Sequence, residues 1–218
     1  MQIAMIGAGY VGLVTGACFS EFGANVTCVD KDVNKISVLK DGKIPIFEPG
    51  LKALVQSNVQ SNRLTFTSDL KTAVEKADAV FIAVGTPSRR GDGHADLSFI
   101  FSAAEEIAHA ISNYTLIVTK STVPVGTGRQ VAEKIRRISP EADFDVCSNP
   151  EFLREGAAIN DFMRPDRVVI GADTDRARKM MREIYRPICL RETPIVFTDL
   201  ETSELIKYAV NSFHKKKI

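Results

Sequence analysis

Three glycines and an aspartate near the start of the chain have the types and spacing of a dinucleotide site. Gly7, Gly9 and Gly12 form a G-x-G-x-x-G pattern, and Asp30 follows 18 residues after the last glycine. Such glycines permit a tight turn, close approach to a pyrophosphate and close helix packing, while the aspartate accepts ribose hydroxyls. Asp30 favours NAD over NADP because its carboxylate repels a 2′-phosphate. Lys35 nearby weakens that preference, and we include it among the residues of the cofactor site. The alternative for the glycine pattern is a purely structural turn between a strand and a helix.

Hydroxyl-bearing residues follow two later apolar runs. Thr86 stands in "VGTPS" after the run 79–84, and Ser121 and Thr122 follow the run 116–119 in "KSTVPVGT". The carboxyl ends of parallel strands share the edge of a sheet where ligands bind, so both segments are expected to face the cofactor. The alternative is a pair of polar turns that each precede a helix.

Ionisable and amide side chains recur at a spacing of four residues in two further segments. Glu151 and Glu155 in "NPEFLREG" are expected on one face of a helix or tight turn, where one carboxylate could act as a general base. A cluster of acids at a helix start, stabilised by the macrodipole, is the alternative. Lys207 and Asn211 are expected on one helix face with Glu204, and a solvated polar face is the alternative there.

Alternating apolar runs and helical patterns are expected to position these residues. Strands are predicted at 3–6, 25–29, 64–67, 79–84, 116–119, 144–147, 167–171 and 195–197. Helices are predicted at 11–22, 33–40, 50–57, 70–76, 98–111, 128–138, 155–160, 174–185 and 199–218. This alternation predicts a doubly wound, Rossmann-type α/β domain with a mostly parallel sheet of six to eight strands. Residues 1–198 would form that domain, and 199–218 would begin a helix connecting to further central and C-terminal domains.

Composition narrows the functional classes. The 218 residues include 28 Lys+Arg and 27 Asp+Glu, a net charge of +1 that does not favour nucleic-acid binding. No apolar run is long enough to span a bilayer, and we expect no secretory signal. The four cysteines form no C-x-x-C pair and no metal spacing, which predicts reduced thiols in a cytoplasmic protein without a metal site.

A series of motifs extends along the chain after the "GYVG" turn at 9–12. They are, in order, "IFEPGL", "VGTPS", "DGHADLS", "KSTVPVGT", "SNPEFLREG" and "ELIKYAVNSF". Together they resemble, over the whole chain, the N-terminal half of the UDP-glucose/GDP-mannose dehydrogenase family. Its members oxidise the C6 alcohol of a nucleotide sugar twice, to the carboxylate, with two NAD and a cysteine nucleophile. The resemblance implies UDP-glucose as the substrate, UDP-glucuronate as the product and a homo-oligomer.

The resemblance also implies roles for individual residues. Cofactor contacts are implied for Gly7, Gly9, Tyr10, Val11, Gly12, Asp30, Lys35, Val84, Gly85, Thr86, Ser121, Thr122 and Glu155. Substrate contacts are implied for Glu151, Phe152, Leu153, Arg154, Glu155, Lys207 and Asn211, although Arg154 also suits a surface or interface position. Thr122 would position a catalytic water, Lys207 would stabilise an oxyanion, and Asn211 would bond the sugar region. Which of Glu151 and Glu155 is the base stays open.

One part of the family pattern is missing from these residues. The nucleophile motif, of the type Gly-Gly-x-Cys-x-Pro-Lys-Asp, does not occur in the 218 residues. The chain alone is therefore expected to bind NAD without turning over a substrate. Two alternatives remain: a dehydrogenase for GDP-mannose or another nucleotide sugar, and a non-catalytic NAD-binding module.

Phe47 and Glu48 in "IFEPGL" are expected in a loop near the reacting centre.

Overall fold

The computed structural model describes residues 1–87, 95–190 and 192–215, with side chains up to residue 210. Its strands are β1 (Gln2–Ile6), β2 (Asn25–Val29), β3 (Leu64–Thr67), β4 (Ala79–Ile82), β5 (Thr115–Thr119), β6 (Phe144–Ser148), β7 (Val168–Ala172) and β8 (Ile195–Thr198). Its helices are α1 (Tyr10–Glu21), α2 (Val33–Lys40), α3 (Leu51–Gln60), α4 (Leu70–Glu75), α5 (Ser98–Ala108), α6 (Thr127–Ile138), α7 (Ala158–Met163), α8 (Asp175–Ile184), α9 (Arg186–Cys189) and α10 (Leu200–Lys215).

The eight strands form one sheet in the order β3-β2-β1-β4-β5-β6-β7-β8. Neighbouring strands are parallel except β6 and β7, where Cys147 pairs with Ala172 in an antiparallel register. Strands β2 and β3 lie on one side of β1, and β4 to β6 lie on the other. The strand order therefore reverses between β1 and β4, and the crevice at their carboxyl ends is where such sheets bind ligands.

Helices cover both faces of the sheet and bury its central strands. Helices α1, α3, α7 and α8 pack on one face, in a core that includes Phe19, Leu51 and Phe162. Helices α4, α5 and α6 pack on the other face, where Ile107 and Val131 are buried. Every residue of β4 and β5 is buried, as expected for strands enclosed on both sides. This packing fixes the edge at which the loops after β1, β4, β5 and β6 meet.

The prediction of a doubly wound, mostly parallel sheet is confirmed. Strands β2 and β3 and helix α2 have the predicted bounds, whereas the short helix α9 and the antiparallel direction of the predicted strand β7 were not predicted. Helix α10 packs on β7, because the missing side chain of Gly171 lets the backbone at Leu200 come close to the strand. The domain boundary at residue 198 stays a prediction. Within the described part of the chain, no helix is long and apolar enough to cross a membrane. The first three residues of "DGHADLS", 92–94, lie outside the described residues.

Candidate functional site

The loop between β1 and α1 is shaped by glycines with different surroundings. Gly7 has a φ of +103°, and a Cβ there would lie 2.7 Å from the Ala83 carbonyl oxygen. A Cβ on Gly12 would lie 1.8 Å from the Gly7 carbonyl oxygen, so both positions require glycine. A Cβ on Gly9 would meet no atom of the described residues within 4 Å. The backbone at Gly9 therefore borders open space.

The N-terminus of α1 supplies hydrogen-bond donors beside that space. Gly9 is the N-cap, no side chain caps the helix, and its first turn has no acidic residue. Tyr10 and Val11 begin the helix and are half-buried. Free N–H groups and the positive end of a helix dipole attract phosphate. The open space and these donors fit the pyrophosphate of NAD.

Asp30 follows β2 and connects the glycine loop to α2. One carboxylate oxygen accepts the Ala8 N–H at 2.9 Å and pairs with the Lys35 ammonium at 2.7 Å. The other oxygen accepts the Asp32 N–H at 3.0 Å. Burial raises the pKa of Asp30, but Lys35 and the backbone donors outweigh it and lower the pKa overall. Asp30 is thus an ionised acceptor with lone pairs left for ribose hydroxyls.

The loops after β4 and β5 are joined to each other by hydroxyl groups. The Thr86 hydroxyl donates to the Thr122 carbonyl oxygen at 3.0 Å, and the Ser121 hydroxyl donates to the Val84 carbonyl oxygen at 2.6 Å. Among the residues that the structure describes, no atom lies within 4 Å of a Cβ placed on Gly85. The structure therefore brings these five predicted residues together at the edge beside the glycine loop, and leaves open space at Gly85.

Glu48 is a buried carboxylate that ties the glycine loop to the segment after β6. It accepts the Tyr10 hydroxyl at 2.5 Å, the Gly156 N–H at 2.8 Å and the Ala158 N–H at 2.9 Å. Burial opposes ionisation, yet these donors lower the pKa of Glu48. Burial and the neighbouring Glu48 raise the pKa of Tyr10. The sequence placed Glu48 near the reacting centre but did not reveal this bridging role, whereas adjacent Phe47 is 86% exposed.

Lys207 on α10 forms an ion pair with Glu151 in the loop after β6. The ammonium lies 3.1 Å from one carboxylate oxygen and 2.5 Å from the Glu151 carbonyl oxygen. The other carboxylate oxygen accepts the Leu153 N–H at 2.6 Å, and the Phe152 ring centroid lies 5.2 Å from the ammonium. Only 8% of the Lys207 side chain and 14% of the Glu151 side chain are exposed. The fold thus holds a cation and an anion together in a low-dielectric setting.

Of the helix or tight turn expected to place Glu151 and Glu155 on one face, the helix does not form. Residues 151–154 have no regular secondary structure, and helix α7, predicted at 155–160, begins at Ala158. Gly156 has a φ of +85°, which interrupts any helix at that point. As a result Glu151 is half-buried against Lys207, while Glu155 is exposed. The two carboxylates therefore do not lie side by side on one helix.

The other predicted substrate residues have different surroundings. Leu153 packs against the hydrophobic core, whereas Arg154 is exposed and forms an ion pair with Asp161 at 2.6 Å. That pairing matches the surface role considered for Arg154. The backbone of Asn211 continues α10, and its side chain lies outside the described residues.

Glu204 serves a different element from the one its helical spacing suggested. Its buried carboxylate accepts the Gly126 N–H at 2.6 Å and the Gly128 N–H at 2.7 Å, at the start of α6. Burial raises the pKa of Glu204, although these N–H groups act to lower it. Glu204 therefore docks α10 onto the end of the "KSTVPVGT" segment, one helical turn before Lys207.

A cavity of about 780 Å³ lies beside the Glu151–Lys207 pair. Its lining comes from the loop after β6, the starts of β7 and β8, and helices α7, α9 and α10. Lys120, directly after β5, also lines it and is only 3% exposed. Lys120 was not among the residues predicted from sequence. The one signal of its burial is its position directly after the apolar run 116–119.

Comparison with known proteins places this architecture in one family. Residues 1–189 match the NAD binding domain of the UDP-glucose/GDP-mannose dehydrogenase family. The chain is 66% identical over its whole length to a UDP-glucose 6-dehydrogenase of Rhizobium meliloti, of which it covers 50%. It is 49% identical to UDP-glucose 6-dehydrogenase TuaD of Bacillus subtilis and covers 46% of that protein. The chain thus spans about half the length of these curated relatives.

Solved structures agree with this placement. The fold matches a GDP-mannose dehydrogenase from Pseudomonas aeruginosa with a TM-score of 0.94 and 41% identity, over 100% of this chain and 50% of that one. It matches a UDP-glucose dehydrogenase from Pyrobaculum islandicum with a TM-score of 0.93 and 38% identity, over 97% and 49%. The chain belongs to the UDP-glucose/GDP-mannose dehydrogenase family and contains its NAD-binding domain.

Proposed function

We propose that the chain is the NAD-binding half of a UDP-glucose 6-dehydrogenase, which oxidises the C6 alcohol of UDP-glucose to the carboxylate of UDP-glucuronate. The relatives from Rhizobium meliloti and Bacillus subtilis carry that name. The observation that carries the proposal is the convergence of two sets of residues at one edge of the sheet. The glycine loop and Asp30 fit NAD, and Glu48 links that loop to the segment that holds Glu151 against Lys207.

NAD, when bound, would supply the hydride acceptor, with one NAD for each of the two oxidations of the sugar carbon. The residues of this chain would bind and orient both molecules and handle charge and protons. The Lys207 ammonium would stabilise negative charge that develops on the reacting sugar oxygen, and its low exposure strengthens that effect. Asn211, one helical turn further along α10, would bond the sugar region, and Phe152 and Leu153 would contact the substrate from the loop after β6.

We assign the general base to Glu155 and the positioning of the catalytic water to Thr122. Glu151 is already paired with Lys207 and accepts the Leu153 N–H, which makes it a holder of the ammonium. Glu155 is exposed and makes no hydrogen bond or ion pair within the described residues. A general base needs an oxygen that can reach the proton of a bound water, and Glu155 meets that requirement better.

The nucleophile is proposed to come from outside these 218 residues. Cys18, Cys28 and Cys147 are buried, and burial raises the pKa of Cys18 and of Cys28 to about 12. Burial also raises the pKa of Cys147, on strand β6. Because the thiolate is the reactive form, none of these three suits nucleophilic attack. Cys189, the fourth cysteine, ends helix α9 and does not line the cavity, so cysteine chemistry would require the half of the family's length that this chain does not cover.

The proposal can be tested by joining this chain to the half of the Rhizobium meliloti relative that it does not cover; we call this the joined protein. NADH formation is measured by absorbance for the joined protein and for the chain alone. We expect turnover of UDP-glucose by the joined protein only. A second joined protein contains the part of Bacillus subtilis TuaD that this chain does not cover. It controls for inactivity caused by poor packing between the two halves of the first joined protein.

One alternative substrate has a specific observation in its favour. The fold resembles a GDP-mannose dehydrogenase from Pseudomonas aeruginosa with 41% identity. Assays of the joined protein with UDP-glucose and GDP-mannose separate the two substrates. Preferred turnover of GDP-mannose would replace UDP-glucose in the proposal, and NAD binding without turnover of either sugar would favour a non-catalytic module.

The compartment and assembly are also proposed. All four cysteines are free thiols in the structure, which fits the reducing cytoplasm. We propose a homo-oligomer for the whole protein by analogy with its family. Light scattering of the eluting joined protein measures its mass, and a monomeric mass would contradict that assignment.

A further inference from the structure

Lys120 is a buried cation whose hydrogen-bond acceptors are all uncharged. Its ammonium donates to the Asn149 side-chain oxygen at 3.2 Å, to the Tyr185 hydroxyl at 3.4 Å and to the Asn149 carbonyl oxygen at 3.5 Å. No carboxylate forms an ion pair with it among the described residues. Burying an ammonium without an anionic partner is unfavourable for folding. Such a group calls for an explanation beyond packing.

The network around Lys120 fixes the start of the loop that contains Glu151. Tyr185 donates its hydroxyl to the Asn149 side-chain oxygen at 2.6 Å, and the Asn149 amide donates to the Val169 carbonyl oxygen at 2.9 Å. Asn149 is thus held from β5, β7 and the end of α8, and it precedes Glu151 by two residues. The Lys120 ammonium is therefore one of the groups that hold the start of the segment leading to Glu151.

Lys120 also acts on that pair through its charge. Burial lowers the pKa of the Lys120 ammonium to about 8; Glu151 acts to raise that pKa and Lys207 acts to lower it further. The ionisable groups that face Lys120 from the surrounding elements are Cys18 of α1, Tyr185 after α8, Glu151 after β6 and Lys207 of α10; α7 presents the Phe162 ring. Coupling between two charges is reciprocal, so Lys120 acts on Glu151 and Lys207 in turn.

We infer that Lys120 is a positioning residue for the reaction: its buried ammonium orients the Asn149–Glu151 segment and adds positive charge beside the Glu151–Lys207 pair. The inference rests on the proposed function for its catalytic meaning, since Glu151 and Lys207 belong to the proposed site. The structural coupling itself can be measured on this chain without any catalysis.

The first experiment follows the titration of the Lys120 side chain by carbon-13 NMR in the chain as it stands. The resonance is assigned from its loss in Lys120→Met or Lys120→Arg. Glu151→Gln should lower the titration midpoint and Lys207→Met should raise it, each by about half a pH unit or more for charges in partly buried surroundings. Glu155→Gln, in the same loop but exposed, is the matched control and should leave the midpoint unchanged.

The second experiment measures the pH dependence of kcat/KM in the joined protein. Loss of the cation makes the Glu151 carboxylate, which holds Lys207, easier to protonate, so Lys120→Met should move the acid limb to higher pH by about half a unit or more. Lys120→Arg keeps the charge and should restore the limb. A role in packing alone would change the rate without moving the limb.

The outcomes separate this inference from the proposed function. A Lys120 midpoint unchanged by both Glu151→Gln and Lys207→Met, or an acid limb that does not move, would overturn the positioning role. Failure of both Lys120 variants to give folded chain would show that the ammonium serves folding, and would overturn it as well. An inactive joined protein together with the expected NMR coupling would instead contradict the proposed function.

Discussion

The proposed nucleotide end of the site and its proposed reacting end are built in different ways. At the nucleotide end, the glycine loop, Asp30 and Lys35 fall within one continuous β1–α1–β2–α2 segment, and Asp30 reaches Ala8 only 22 positions back. At the reacting end, Glu151 meets Lys207 from 56 positions away, and Glu48 meets Ala158 across 110 positions. The first region is assembled by neighbours in sequence, and the second by the completed sheet.

This difference has consequences for function. The nucleotide end depends on backbone geometry, since an added Cβ at Gly7 or Gly12 would collide with backbone atoms. The reacting end depends on buried charges held by side chains from separate elements, namely Glu48, Glu151 and Lys207. A substitution at the nucleotide end should therefore change cofactor affinity or folding, and one at the reacting end should change rates.

The largest expected effect concerns the reacting end. In the joined protein, the oxidised sugar is expected to be held as a thioester on the nucleophilic cysteine until water releases it. Glu155→Gln and Thr122→Ala should slow this hydrolysis by about 10²–10⁴-fold, the usual contribution of a positioned base. Mass spectrometry should detect the intermediate on the nucleophilic cysteine, with a burst of NADH before slow turnover. Glu75→Gln, an exposed carboxylate on α4, is the control. Wild-type turnover without an adduct in both variants would make Glu151 the next candidate base.

Two glycine substitutions sharpen the contrast between folding and cofactor binding within one loop. Gly12→Ala places a Cβ 1.8 Å from a carbonyl oxygen and should lower the free energy of unfolding by about 3 kcal/mol or more. Gly9→Ala adds a Cβ with no atom of the described part of the chain within 4 Å, so the free energy of unfolding should stay within about 1 kcal/mol of wild type while NAD affinity falls more than about tenfold. Urea denaturation and calorimetric titration measure the two quantities. Equal stability of both variants would show that the loop tolerates the added atom.

Asp30→Ala tests the nucleotide end through its charge. Loss of hydrogen bonds to a charged acceptor should weaken NAD binding by about 1.5–3 kcal/mol, or roughly 10- to 150-fold in Kd. Discrimination against NADP should fall as well, because the carboxylate no longer repels a 2′-phosphate. Calorimetric titration with both cofactors measures this, and an unchanged Kd for NAD would remove Asp30 from the site.

The smallest expected effect concerns the link between the two ends. Glu48→Gln replaces a carboxylate that accepts three donors and should lower the free energy of unfolding by about 1–2 kcal/mol. Because the folded-state pKa of Glu48 is lowered, its stabilisation is present above the ordinary Glu pKa of about 4.3 and is lost as the pH falls through the folded value. The difference between wild type and variant should shrink in acid, as measured by urea denaturation across pH; a constant difference would count against this role.

The contrast between the two ends also explains what could be predicted from sequence. The β1–α1–β2 segment has local signals in its apolar periodicity, its glycines and the aspartate, and its elements formed within one residue of the predicted bounds. The Glu151–Glu155 segment had only a spacing, which suggested a helix. Contacts from Glu48 and Lys207, remote in sequence, and the left-handed Gly156 decided its course instead.

Two further features lay beyond sequence reasoning for the same reason. Lys120 is one residue in a Ser/Thr-rich motif, and only the sheet shows that its ammonium is enclosed by Asn149 and Tyr185. Glu204 has helical spacing to Lys207, yet its carboxylate caps a different helix because α10 packs against the start of α6. Spacing identifies which residues share an element, and tertiary packing decides what each side chain contacts.

The most direct test of the two-part site compares NADH formation from UDP-glucose by the chain alone and by the joined protein. Both should bind NAD in a calorimetric titration, because the glycine loop and Asp30 both lie in this chain. Only the joined protein should produce NADH continuously, because the nucleophile is proposed to lie outside these residues. Sustained NADH formation by the chain alone would contradict the account. So would the finding that both joined proteins bind NAD but do not turn over UDP-glucose.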